Sequence, residues 1–218
     1  MTGLQDYCFQ SGQGTPPKKM VIFLHGYGAD GKDLISIAPL WTDALKDTIF
    51  YAPNAPEMCE MSQMGFQWFS LTDRSDEAMS AQIKHAFPIL KNYIEKKCDD
   101  HNLTVQDVAI VGFSQGTMMA LYTLPQMDLP CAEALCYSGR LIGLDHIAKE
   151  SLQRFPICAI HGDQDEIVPY ESLSNMEQRL TDLGYNIQTH TRPGLGHGID
   201  SEGLRIGLDA LQKSLSVV

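Results

Sequence analysis

The chain has 218 residues, 44% apolar and 20% charged, the proportions of a compact protein built on one hydrophobic core, and a single domain over residues 1–218 is expected. Its formal net charge of −11 repels phosphate backbones and anionic headgroups, which argues against nucleic acid as a partner and against stable membrane association. No charged-then-apolar leader is read in Met1–Gly12 and no apolar run reaches bilayer length, which points to the cytoplasm; the sequence is compatible with a homodimer.

Taken in chain order, Lys19–Leu24, Thr48–Ala52, Val108–Phe113, Ala132–Tyr137, Pro156–Ile160 and Asn186–Thr191 read as strands. Most are apolar without alternation, as expected where helices cover both faces of a parallel sheet. Helices are expected over Asp76–Cys98, Gln115–Leu124, Glu171–Leu183 and Ser201–Leu215. The first carries Met79, Ile83, Phe87, Leu90 and Ile94 at helical spacing, and Pro88 should kink it or set its true start. Strands alternating with helices predict right-handed crossovers and an α/β fold with a mostly parallel central sheet. Pro53–Thr72 breaks the pattern. It holds Met58, Met61, Met64, Phe66, Trp68 and Phe69 without periodicity and reads as a long ordered loop of the kind that usually serves function.

Six cysteines (Cys8, Cys59, Cys98, Cys131, Cys136 and Cys158) fall at irregular spacings without a CxxC pair, so neither a zinc site nor a disulfide framework is expected. Cys136 and Cys158 lie within strand-like runs and are read as core residues.

Four glycine-rich segments carry the chemistry. Gly112-Phe113-Ser114-Gln115-Gly116 is a G-x-S-x-G between a strand and a helix, where a tight turn raises a serine nucleophile and requires small residues on either side. By itself the pattern is modestly specific; its strand–turn–helix setting strengthens it. His25-Gly26-Tyr27-Gly28 follows the first strand read above, where the backbone N–H of Tyr27 would join that of Gln115 in an oxyanion hole. His25 reads as a buttress of that loop. In His161-Gly162-Asp163-Gln164-Asp165 both aspartates stand after the serine and before the last histidine. Asp165 is favoured as the carboxylate that orients the base, because Asp163 can bond backbone amides two residues on. Gly194-Leu195-Gly196-His197-Gly198 offers His197, flanked by glycines on a late loop that can reach across the C-terminal edge of the sheet, as the general base. His190 should point into a sheet face, and His85, His101 and His146 read as helix or surface residues. The order Ser, Asp, His is that of the α/β-hydrolase fold.

With these residues in place, FLHGYGADG (Phe23–Gly31), APNAP (Ala52–Pro56), WF (Trp68–Phe69), GFSQG, HGDQDEIVP (His161–Pro169) and GLGHGI (Gly194–Ile199) resemble the phospholipase/carboxylesterase family over nearly the whole chain. The resemblance implies a cofactor-free, metal-free hydrolase acting through Ser114, Asp165 and His197 on a small carboxylic ester or acyl-thioester. Lysophospholipase and protein deacylase (acyl-protein thioesterase) are alternatives within it, and a binding protein without turnover is the alternative outside it. The chain departs from the family at Tyr27, where leucine is frequent, and at Thr117, where a second glycine is common. Trp68 is expected on the wall of an apolar acyl groove formed by the 53–72 loop.

Overall fold

The computed structural model describes residues 3–11, 15–62, 64–144 and 147–216; His146 lies outside them. Seven strands form the main sheet: β1 (Asp6–Gln10), β2 (Lys19–Leu24), β3 (Thr48–Pro53), β6 (Val108–Phe113), β7 (Glu133–Tyr137), β8 (Ile157–Gly162) and β9 (Ile187–Arg192). They lie in the order β1-β3-β2-β6-β7-β8-β9. β1 runs antiparallel to β3, and every other neighbouring pair is parallel. Two two-residue strands, β4 (Glu57–Met58) and β5 (Phe66–Gln67), pair as a hairpin.

The uninterrupted apolar runs become two separate cores. Met20, Ile22 and Leu24 of β2, with Val108 and Ile110 of β6, face one side. There they meet α3 (Asp76–His101), α4 (Gln115–Thr123) and α5 (Glu171–Asp182). Val21 and Phe23, with Ala109 and Val111, face the other side and meet α1 (Gly31–Ile35), α2 (Ala38–Trp41) and α6 (Ser201–Leu215). Side chains alternate across a strand, so a strand buried on both faces must be apolar at every position. This is the α/β-hydrolase architecture that the sequence implies. Among the described residues no helix is long and apolar enough to cross a membrane.

α3 differs from expectation. It begins at Asp76, with the Ser75 hydroxyl accepting from the Ala78 amide at 3.3 Å, and runs through Pro88 to His101. Pro88 and Lys84, whose carbonyl loses its partner N–H, both lie on the exposed face, where a freed oxygen is open to solvent. The helix closes on Asn102 at φ 55°, whose N–H reaches the carbonyls of Cys98 and Asp99.

Candidate active site

The site lies where β2, β6, β7 and β8 end. Ser114 follows β6 directly, at φ 53° and ψ −114°, a left-handed conformation unusual for a residue with a side chain. The backbone on both sides explains why it is tolerated. A Cβ on Gly116 would lie 1.9 Å from the Leu24 carbonyl oxygen, and one on Gly112 would lie 2.6 Å from the Thr117 backbone. Without side chains at 112 and 116, α4 can begin flush against β2, and the strain at Ser114 is held by packing. Thr117 adds a pin: its hydroxyl sits 2.8 Å from the Gly112 carbonyl and 3.0 Å from that of Tyr137.

His197 and Asp165 converge on this turn from two later loops. Asp165 Oδ2 accepts from His197 Nδ1 at 2.8 Å, while Oδ1 accepts the amides of Ile167 and Val168, each at 2.9 Å. Burial pushes the Asp165 carboxyl up, but the bond from His197 and those two amides outweigh it and hold the group below the usual carboxylate range. With Nδ1 engaged, Nε2 is the nitrogen of His197 left to take a proton, and His197 lines the same cavity as Ser114. The ring packs against Phe113, centroid to centroid at 4.9 Å. Asp163 is placed differently from the turn-forming role read in the sequence. Its Oδ1 accepts the Gly194 amide at 2.7 Å, tying the aspartate loop to the histidine loop.

Gly26–Ala29 forms a tight turn closed by a 3.2 Å bond from the Ala29 amide to the Gly26 carbonyl, with Gly28 at φ 78°, which places Tyr27 at its first corner. Tyr27 and Gln115 both line the cavity. The Gln115 amide opens α4, so no carbonyl of that helix can take it. His25 buttresses this turn: Nδ1 donates to the Gly26 carbonyl at 2.8 Å and Nε2 accepts from the Ala55 amide at 3.0 Å. Complete burial holds its imidazole below its ordinary pKa and so neutral.

The cavity measures about 380 Å³, and its apolar wall is Leu71, Met79, Met118, Ile167, Val168 and Pro169. Trp68 is not on that wall, which corrects the expected groove. The indole is 1% exposed and packs in the core with Phe69 on the α3 side. Its Nε1 donates to the His25 carbonyl at 3.0 Å. Met58, Met61 and Met64 point to solvent, because the hairpin β4–β5 folds the loop back on itself and leaves its tip outside.

Three residues acquire partners that the motif reading did not assign. The Gln115 side chain accepts the Trp68 amide at 2.9 Å and donates to the Phe69 carbonyl at 2.7 Å, clamping the 68–69 segment to the serine turn. His161 brings Nε2 within 2.9 Å of the Val168 carbonyl and 3.2 Å of Asp165 Oδ2; its place four residues before Asp165 in HGDQDEIVP was the available signal. Glu60 gathers the Tyr27 hydroxyl, the Ser70 hydroxyl and the Leu71 amide, and no spacing in the sequence announced it.

Comparison with known proteins agrees with this architecture. The phospholipase/carboxylesterase family profile matches residues 9–215. The acyl-protein thioesterase 1 homolog 1 of Dictyostelium discoideum is 28% identical over 204 residues, covering 89% of this chain and 90% of that protein. Esterase YpfH of Escherichia coli K12 is 22% identical, covering 92% of this chain and 84% of that protein. The crystal structure of esterase PE8 superposes with a TM-score of 0.92 at 33% identity, covering 98% of this chain and all of that one. The chain belongs to the phospholipase/carboxylesterase family.

Proposed function

We propose that this protein is a serine hydrolase that cleaves carboxylic esters or thioesters through an acyl-enzyme on Ser114. The observation that carries the reading is the strained Ser114 turn opening on the same cavity as a histidine whose Nδ1 is held by a buried carboxylate. His197 Nε2 takes the Ser114 proton as Oγ attacks the carbonyl carbon. Asp165 fixes the tautomer and stabilises the imidazolium. The oxyanion is received by the amides of Tyr27 and Gln115, the leaving alcohol or thiol takes the proton from His197, and water repeats the cycle on the acyl-enzyme. Every group this scheme uses belongs to the chain itself. An acylated protein as thioester substrate is the second reading, favoured by the name of the Dictyostelium relative. The cytoplasm remains the compartment proposed, in keeping with six cysteines that are all free thiols.

A fluorophosphonate probe should label the protein at Ser114. Ser114→Ala should abolish labelling and lower ester turnover by about 10⁴-fold or more. Labelling or near-normal turnover that survives the substitution overturns the assignment.

A further inference from the structure

We infer that the substrate carries an anionic group, a carboxylate or a phosphate, and that Arg140, assisted by Arg74, recognises it; the inference rests on the hydrolase reading above. The chain holds 27 acidic against 16 basic residues, yet the catalytic cavity is lined by Arg74 and Arg140 and by no aspartate or glutamate. A cavity meant only for an apolar chain gains nothing from the charge of guanidinium groups at its wall.

The backbone delivers Arg140 to that position at a cost. β7 ends at Tyr137, and Ser138 follows at φ 46°, a conformation side-chain-bearing residues rarely adopt. Gly139 is then wedged beside the nucleophile: a Cβ there would stand 2.4 Å from the Thr117 side chain and 3.0 Å from the Ser114 carbonyl oxygen. Ser138 is tied to β8 by its amide, which donates to the Ile160 carbonyl at 3.0 Å, and to the histidine loop by its hydroxyl, which donates to the Gly198 carbonyl at 3.3 Å. Two consecutive constrained residues at the sheet edge thus carry the chain past the serine and turn the next side chain into the cavity.

Arg140 is not consumed by internal pairing. Both of its side-chain contacts use Nη2, to Asp76 Oδ1 at 3.1 Å and to Met79 Sδ at 3.4 Å. Asp76 is 86% exposed, so water screens that pair. A guanidinium presents five donors in a planar fork that matches two oxygens of one anion. On its other side Arg140 borders a second cavity of about 350 Å³, which Arg179, Ser172, Asn175 and the solvent-exposed Asp76 also line, so two guanidinium groups face one screened carboxylate there and leave room for the charged end of a substrate whose ester bond lies at Ser114. The class that fits is a short ester or thioester with a free anion a few atoms from the scissile bond, such as a half-ester of a dicarboxylic acid.

The test compares isosteric pairs by proton release: monoethyl succinate, glutarate and adipate against the ethyl esters of the uncharged acids of matching length. Two further arms, 4-acetoxybutanoate and 2-acetoxyethyl phosphate against butyl acetate, place the anion on the alcohol side as a carboxylate or a phosphate. For at least one spacing the charged ester should have the higher kcat/KM, and rising ionic strength should reduce that advantage. Arg140→Gln should lower the charged-to-neutral ratio at least tenfold, mainly through KM, and Arg140→Lys should restore part of it. Arg74→Gln should lower it less. Circular dichroism and thermal melting report folding of each variant, and should Arg140→Gln not fold, the wild-type ratios and Arg74→Gln decide. A ratio below one in every arm, or a preference that Arg140→Gln leaves intact, overturns the inference. Wild-type protein that neither binds the fluorophosphonate nor cleaves any neutral ester overturns the hydrolase reading instead.

Discussion

The two oxygens of Asp165 divide their work, and that division makes Asp165→Asn more informative than a simple loss of charge. Oδ1 accepts two backbone amides, so an asparagine at 165 must keep its carbonyl oxygen there or deprive both N–H groups of their acceptor, that of Val168 in a buried setting. Its NH₂ group is then steered towards His197 Nδ1. A donor facing Nδ1 forces the histidine proton onto Nε2, the nitrogen that has to accept from Ser114. The expected loss is about 10⁴-fold in kcat, as in the worked serine-protease case, with the fold retained. Asp163→Asn keeps an acceptor for the Gly194 amide and should stay within about tenfold of wild type. Steady-state kinetics on the two folded variants separate them, and a dead Asp163→Asn beside an active Asp165→Asn would exchange their roles. Because Asp165 is held below the usual carboxylate range, its charge adds stability at neutral pH. That contribution is lost only as pH falls below about 4, through its folded pKa.

Between the residue and the molecule stands the 53–72 segment, whose structure assigns Trp68 a supporting role. The indole bonds the carbonyl of His25, and the backbone amide of the same residue bonds the side chain of Gln115, so the indole itself braces the His25 strip that leads into the proposed oxyanion hole. Trp68→Ala should cost roughly 3–5 kcal/mol of stability by leaving a core cavity. It should depress kcat for acetate and longer-chain esters alike, where an acyl-groove wall would spare the acetate. A chain-length series of p-nitrophenyl esters, read with a thermal melt, checks both; selective loss of long-chain activity would return Trp68 to the groove. The sequence supported the wrong reading here because apolar residues without periodicity state that something is covered, not what covers it. β1 was missed for a related reason: as an edge strand paired with β3 alone, DYCFQ is half exposed and carries no continuous apolar run. The helices α1 and α2, five and four residues long, are too short for a 3.6-residue period to register. What could be read clearly was the set of strands buried on both faces and the glycines at their ends. There a backbone requirement, such as that of Gly116 against Leu24, leaves little choice of residue.

At the scale of the whole molecule the acidic balance bears on stability through one carboxylate that is not at the surface. Glu133, on β7, is 4% exposed, and its bonding partner is the Ser214 hydroxyl at the end of α6. Burial, only partly offset by that bond, raises its pKa to about 7. An unfolded glutamate titrates near 4.3, so between about pH 4 and 7 the folded state keeps a proton that the unfolded chain has released. Glu133 therefore penalises folding least below about pH 4, increasingly as pH rises, and fully above its folded pKa. The difference between the two pKa values corresponds to about 4 kcal/mol once pH exceeds 8. The trend is opposite to that of Asp165, and the two act in separate windows: acid below about pH 4 removes the contribution of Asp165, whereas the cost of Glu133 accumulates between about pH 4 and 7. Glu133→Gln keeps an acceptor for Ser214 and removes the charge. Its melting temperature should match wild type near pH 4 and exceed it by several degrees at pH 8.5, with the gap opening through about pH 4–7.5. Lys213 lines the same shallow cavity as Glu133 and could pair with the carboxylate once it ionises. Lys213→Met should then widen the gap between wild type and Glu133→Gln at pH 8.5. Melting temperatures of the two proteins that run parallel from pH 5 to 8.5 would show that Glu133 is ionised, and its charge compensated, throughout that range.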